Sequence, residues 1–515
     1  MASGWFEVCA QHLRSMEAVE PWTGVLQAFP GKSDSPVPTG GFDALLRWST
    51  HIWPDLIEGV ERVLSTEVDR QQALMFGRRL GAVRNILGGL EKPEATVLGV
   101  GLAARVAEML RDPGPRAHRI RALADYYYSY AAVMQYRGEG GVTVASVAAN
   151  ATWKELEPGC AHARLVGNTA LGPIHVNAIR ISPRESGIEH PLETLDCRTE
   201  TTDLAELVIQ RGAIAAVSGG FFLYSEPDIH APSQRFDPVG LLVQDGEIIN
   251  PAVFSRASLV VDTDGTASIE IVGMVGMRMH AKGGNVVVSA INSISFAGPH
   301  RNEALAYNRA WGPRVESSEL MLGVVGNRVV AVGSGTMDIP LAGVVLVCGQ
   351  DDVNGVAVGD TVAWSFANRQ IRQAMAGGPM LLEQGRCHLD LAREHFSKGA
   401  PPVTFSEDET FDNNLLPRLA VGITEARELV FVAVDGRDFH RAPGMTLRDT
   451  AALLHGLGCV TACNLDGGSS KRMVVGGRVV DNPSTEVVGK QVDKERVRPV
   501  HTAVLIHAGR TERRP

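Results

Sequence analysis

No uninterrupted apolar stretch in the 515 residues reaches the roughly 18 that a membrane span needs, so no membrane partner is expected. The opening residues, Met1-Ala2-Ser3-Gly4-Trp5-Phe6-Glu7, lack the basic segment and apolar core of a secretory leader, which points to a cytoplasmic protein. Cysteine is sparse and odd in number: seven, scattered, with no second Cys/His pair after Cys459 and Cys463 at zinc-site spacing. Neither a disulfide framework nor a structural zinc site is expected, and the thiols read as reduced. An excess of positive charge is missing as well. The formal net charge is -9, which gives no footprint for nucleic acid, although a local group of Arg can still favour a small anion. What is present is the balance of a globular protein, 44% hydrophobic and 21% charged, at a length that allows two or three domains.

Two textures meet near residue 140. Upstream, apolar positions recur at spacings of three and four, as in Leu102, Val106, Met109 and Leu110, and residues 117–136 read as one long helix. Five of the seven tyrosines lie between Tyr126 and Tyr136; they read either as an aromatic binding surface or as core side chains with hydroxyls at the edge, and the core reading is preferred. Arg70, Arg78, Arg79 and Arg84 fit a solvated helix face better than an anion site. Arg137-Gly138-Glu139-Gly140-Gly141 reads as a hinge. Residues 1–140 are thus expected to form a mainly helical domain, a candidate for oligomerisation or partner docking. Downstream, short β runs end in turn dipeptides such as Asp245-Gly246, Asp264-Gly265 and Gly476-Gly477, with helices over 203–211 and 447–457. That mixture predicts an α+β domain with a mixed sheet over 151–510.

The chemistry-bearing segments sit at strand ends. Thr446, followed three residues later by Asp449, predicts a capped helix that Gly458 stops, and a buried strand over 460–465 then presents Asn464 and Asp466, followed by Gly467-Gly468-Ser469-Ser470. Two glycines beside a carboxylate admit close backbone approach, and their N–H groups with the Ser469 hydroxyl suit an oxyanion. The same residues also suit a tight turn capped by Asp466, and local chemistry does not separate the two. Ser218-Gly219-Gly220-Phe221-Phe222 repeats the pattern, with Glu226, Asp228, His230 and Asp237 after it as acid/base candidates. Gly377-Gly378-Pro379, Arg418 ahead of a strand over 419–423, and Asp435-Gly436-Arg437 complete the set; for Asp435 the turn reading is the stronger.

Taken in order, these segments, with Pro417-Arg418-Leu419-Ala420-Val421-Gly422, Gly444-Met445-Thr446-Leu447, Asn464-Leu465-Asp466-Gly467-Gly468-Ser469-Ser470 and the closing Arg498-Pro499-Val500-His501-Thr502-Ala503, resemble the phosphodiester glycosidase family over roughly residues 151–507. The family usually has Asn where this chain has Ser218, so a hydroxyl replaces a carboxamide there, and residues 1–140 have no counterpart in the resemblance. The resemblance implies hydrolysis of the anomeric C–O bond of a sugar 1-phosphodiester or related glycoside, with a small phosphorylated sugar as partner and no cofactor. Asp466 is then expected to face the anomeric carbon as base or nucleophile, Glu226 to be the second carboxylate and His230 a proton carrier. Arg418 is expected to hold the phosphate, helped by Ser218, Gly219, Gly220, Gly378, Asp435, Asn464, Gly467, Gly468 and Ser469. Two rival readings use the same pocket. One is a phosphodiesterase cutting P–O with a divalent metal on Asp435, Asp466 and Glu226; the other is a catalytically silent carbohydrate- or phosphate-binding protein.

Overall fold

The computed structural model describes residues 42–67, 70–112, 114, 116–136, 141–182, 192–196, 202–223, 237–294, 298–396, 414–483 and 499–508. Most of the expected hinge, residues 137–140, falls outside them. Among the described residues, four helices form the N-terminal region: α1 (Phe42–Leu64), α2 (Arg70–Gly89), α3 (Pro93–Arg111) and α4 (Ala117–Tyr136). Their apolar stripes meet in one core that includes Leu56, Val60, Leu80, Val83, Leu102, Val106 and Tyr128. Pro93 opens α3 at a position where its missing N–H costs no helical bond.

The tyrosines of α4 do fill this core, with Tyr127 and Tyr128 fully buried. Their polar ends have a destination that the periodicity did not show. The Tyr128 hydroxyl donates to the Pro443 carbonyl at 3.2 Å and that of Tyr136 to the Phe439 carbonyl at 2.7 Å. Phe439 and Leu415 in turn enter the helical core. The helical region therefore packs directly on the β region. Arg79 departs from the solvated-face expectation: Arg78 is exposed, but Arg79 is buried and ion-paired with Asp125 of α4.

Among the described residues, the β region holds an eight-stranded, a seven-stranded and two five-stranded sheets. Most pairs are antiparallel, while Gly284–Ile291 and Glu303–Tyr307 run parallel, so the architecture is α+β with mixed pairing. The middle of the eight-stranded sheet is the order Gly172–Ile181, Leu429–Val434, Arg418–Thr424, Cys459–Leu465, Met380–Glu383. Both of its faces are covered. Leu419, Val421, Phe431 and Leu465 face one core; Ala420, Val430, Val432 and Ala462 face another beneath the helix Leu447–Gly456. Two buried faces demand apolar residues at both parities, which explains the unbroken apolar strands read from the sequence. The helix begins with the expected reciprocal cap between Thr446 and Asp449, and Gly458 closes the turn after it in the left-handed region at φ 88°.

One five-stranded sheet holds Ala215–Ser218 between Met473–Val475 and Thr502–Ile506. Pairing on both sides brings the Ser218 turn beside residues 471–473 and 501–502. Among the described residues, no helix is long and apolar enough to cross a membrane.

Candidate active site

The glycine-rich strand ends, far apart in sequence, meet. The Asp466 N–H donates to the Gly219 carbonyl at 3.2 Å, the Gly378 N–H to that of Asn464 at 2.7 Å, and the Gly468 N–H to that of Pro417 at 2.9 Å. The Gly219 N–H donates to the Thr502 carbonyl at 2.9 Å. Segments around 218–220, 377–379, 417–418, 464–468 and 501–502 thus share one locality. A Cβ on Gly220 would lie 2.1 Å from the Ala376 oxygen, one on Gly377 2.2 Å from the Asn464 oxygen, and one on Gly467 2.7 Å from the Pro417 oxygen. Glycine is required here so that backbone can approach backbone. The N–H groups of Gly219 and Gly468, expected to meet an oxyanion, close this framework instead, as does that of Gly378.

Asp466 ends the Cys459–Leu465 strand and is 7% exposed. Its neighbour Asn464 is buried; Nδ2 donates to the Gly378 carbonyl at 3.1 Å, while Oδ1 has no hydrogen-bond partner among the described residues. Arg418 opens the adjacent strand with its guanidinium buried, donating from Nε to the Met445 carbonyl at 3.0 Å and from Nη2 to the Asn414 carbonyl at 2.9 Å. The guanidinium expected to hold a phosphate therefore already ties two loops to the head of its strand. Ser218 is buried, and its hydroxyl accepts the Arg472 N–H at 2.9 Å.

Asp435 belongs to a buried charge network. Its Oδ1 accepts from Lys471 Nζ at 2.7 Å and from the Asn482 N–H at 2.9 Å. Lys471 Nζ also donates to Asp481 Oδ2 at 2.8 Å and to the Asn482 carbonyl at 3.0 Å, and Arg472 Nη1 reaches Asp481 Oδ2 at 3.0 Å. Burial pushes the Asp481 carboxyl up, but Lys471 and Arg472 outweigh it and hold the group below the usual carboxylate range. Arg437, in the left-handed region at φ 60°, donates from Nη1 to the Ser469 hydroxyl at 3.1 Å.

Several residues here were not singled out from the sequence. Lys471, Arg472 and Asp481 read as ordinary polar residues beside a hairpin; a Lys-Arg pair opening an otherwise apolar strand was the available signal. Glu394 is buried against the Gly378 turn and accepts the N–H groups of Met380 at 2.5 Å and Ala257 at 2.7 Å. Its carboxyl is raised, chiefly by burial. His501, buried next to Thr502, stacks on Phe222 with ring centroids 3.7 Å apart. Burial and then Arg441 hold the His175 imidazole below its usual value, and the His175 carbonyl accepts the Asp435 N–H at 2.9 Å. Among the described residues, no three His, Cys, Asp or Glu side chains group as they would around a metal. Glu226, Asp228 and His230 lie outside the described residues.

The chain is similar in part to several known proteins. A protein of Bacillus subtilis (strain 168), "SPbeta prophage-derived uncharacterized protein YomE", is 38% identical over 77 residues, which are 15% of this chain and 12% of that protein. A hypothetical protein from Synechocystis aligns in structure with a TM-score of 0.42 and 23% identity, covering 68% of this chain and 62% of that one. The zebrafish N-acetylglucosamine-1-phosphodiester alpha-N-acetylglucosaminidase catalytic domain, auto-inhibited by its pro-peptide, aligns with a TM-score of 0.38 and 16% identity, covering 70% and 87% of the two chains. The chain thus spans less than two thirds of the curated relative and of the Synechocystis protein. Residues 325–507, which carry Gly378, Arg418, Asp435, Asn464 and Asp466, match the family model described as phosphodiester glycosidase, the same family that the motifs resemble.

Proposed function

We propose that this chain is a glycosidase-type hydrolase that cleaves the anomeric C–O bond of a sugar 1-phosphodiester. The observation that carries this reading is the convergence of Asp466 with the Ser218, Gly377 and Arg418 strand ends, locked by backbone hydrogen bonds that span 247, 86 and 51 residues of chain. Rigid strand ends hold a reacting group to the tolerance that catalysis needs. The family match over 325–507 supports the same reading.

The leaving group would be a phosphate monoester, a far weaker base than an alkoxide. Protonating it therefore contributes less than in ordinary glycoside hydrolysis. The remaining work is to place the phosphate, stabilise positive charge at the anomeric carbon and direct the attacking oxygen. Asp466 takes the last two roles as base or nucleophile, with Glu226 as second carboxylate and His230 as proton carrier. Arg418 supplies a buried positive charge one residue from the carbonyl that receives Gly468, and in a low-dielectric surrounding its field reaches a phosphate without direct exposure. Asp435 holds Lys471 in the framework of the site.

Hydrolysis of a sugar 1-phosphodiester in oxygen-18 water tests the bond assignment. Label in the sugar is expected. Label in the phosphate would assign P–O cleavage, and tight binding without turnover would make the chain a binding protein.

Arg418→Ala separates the two duties of that guanidinium. The expected result is a larger loss of kcat/KM on sugar phosphodiesters than on simple aryl glycosides. An equal loss on both, with a lower Tm, would leave Arg418 only the task of tying the Asn414 and Met445 loops.

A further inference from the structure

The helical layer reaches the Asp466 turn through a chain of buried polar contacts. Asp125 of α4 is fully buried and paired with Arg79 of α2. Its Oδ2 also lies 3.4 Å from Arg437 Nη2, and Arg437 Nη1 donates to the Ser469 hydroxyl at 3.1 Å. Ser469 sits in the turn in which the N–H groups of Ser470 and Lys471 fold back onto the Gly467 carbonyl. We propose that Asp125 is a positioning residue for this turn, acting through Arg437 on Ser469, so that the N-terminal helices complete the active site.

Three features favour this over a packing role confined to the helices. First, Arg79 alone would neutralise Asp125; the second guanidinium comes from the β region and spans both. Second, Arg437 occupies left-handed backbone, which a non-glycine residue keeps only where its surroundings fix it. Third, α4 is fastened to the same loops at three more points: Tyr128 to Pro443, Tyr136 to Phe439, and the Leu415 N–H to the Ser129 hydroxyl at 2.9 Å. A carboxylate held that firmly can fix a guanidinium, and the guanidinium a turn.

The proposal rests on the reading of Asp466 as the reacting carboxylate, and the experiment keeps the two apart. Full-length wild type, Asp125→Asn, Ser469→Ala and the double variant are compared on a sugar 1-phosphodiester. Each single variant is expected to lower kcat by about 10- to 100-fold with little change in KM, the size of effect that a misplaced group produces. The double variant should be no slower than the slower single one, because both substitutions interrupt one chain. Independent effects that multiply would overturn the proposal, as would wild-type kcat in folded Asp125→Asn. If Asp125→Asn does not fold, the cycle is run in Arg79→Met/Asp125→Asn, which removes both charges of the helical pair together. Hydrogen exchange supplies a readout that needs no substrate. Asp125→Asn should speed exchange at residues 467–471 and leave the seven-stranded sheet unchanged; faster exchange confined to the helices would sink the idea. Faster exchange at 467–471 in a protein whose wild type hydrolyses no sugar phosphodiester would uphold the positioning and remove the hydrolase.

Discussion

Asp466→Asn is expected to leave the fold intact and to lower kcat on a sugar 1-phosphodiester by about 10²- to 10⁴-fold, the contribution of a well-placed acid/base group. The Asp466 N–H donates to the Gly219 carbonyl at 3.2 Å, a backbone contact that the substitution keeps, and an amide of the same shape fills the same space, so the fold should survive. What disappears is a negative charge at the strand end. Neither of its proposed duties, drawing a proton from water or attacking the anomeric carbon, is open to a carboxamide. The measurements are kcat and KM together with thermal unfolding in one buffer. Wild-type turnover from the purified variant would remove Asp466 from the mechanism, while a large fall in Tm would make it a turn cap, the alternative that the Asp-Gly-Gly-Ser spacing also allows.

Local rules were legible in the sequence, and partner-dependent ones were not. The helix over 117–136, the Thr446/Asp449 cap, the Gly458 stop and the strand over 419–423 each depend on neighbours close in the chain, and each is present. Glycine pairs at strand ends signalled close approach, and the segments do meet. The sequence could not say what approaches: at Gly220, Gly377 and Gly467 it is another backbone carbonyl. Arg79 shows how a phase can be misjudged. Phe76, Leu80 and Val83 are buried, and position 79 lies three residues from the first and four from the last, on their face of α2. Beside exposed Arg78 it read as solvated, because the carboxylate that makes its burial tolerable is on another helix. Asp125, Lys471 and Asp481 were missed for the same reason. A buried charge is stable only with its partner, and pairing across long separations leaves no local periodicity to read.

Lys471→Met should cost about 3–5 kcal/mol of folding stability near pH 7, the usual result of removing one member of a buried ion pair. The ammonium is fully buried and bonded to Asp435 and Asp481 at once, so its loss leaves two buried carboxylates, with Arg472 Nη1 as the cation still on Asp481 at 3.0 Å. The pH dependence identifies the cause. In the wild type, Asp481 is held below its ordinary value, so its stabilising contribution is present at neutral pH and is lost only as the pH falls below the usual carboxylate range. In the variant, burial is opposed by Arg472 and the Met473 N–H without Lys471, so Asp481 is held down less than in the wild type. A less depressed carboxyl loses less stability as the pH drops. The difference in unfolding free energy between wild type and variant should therefore be largest near pH 7 and shrink as the pH falls through the carboxylate range. A constant difference across that range would assign the loss to packing. The loss should also reach the active site. Arg472 donates its N–H to Ser218, and Asp481 accepts the Met473 N–H at 2.7 Å, so a loosened network frees the strand that seats the Ser218 turn against Asp466. Turnover should fall with stability in Lys471→Met.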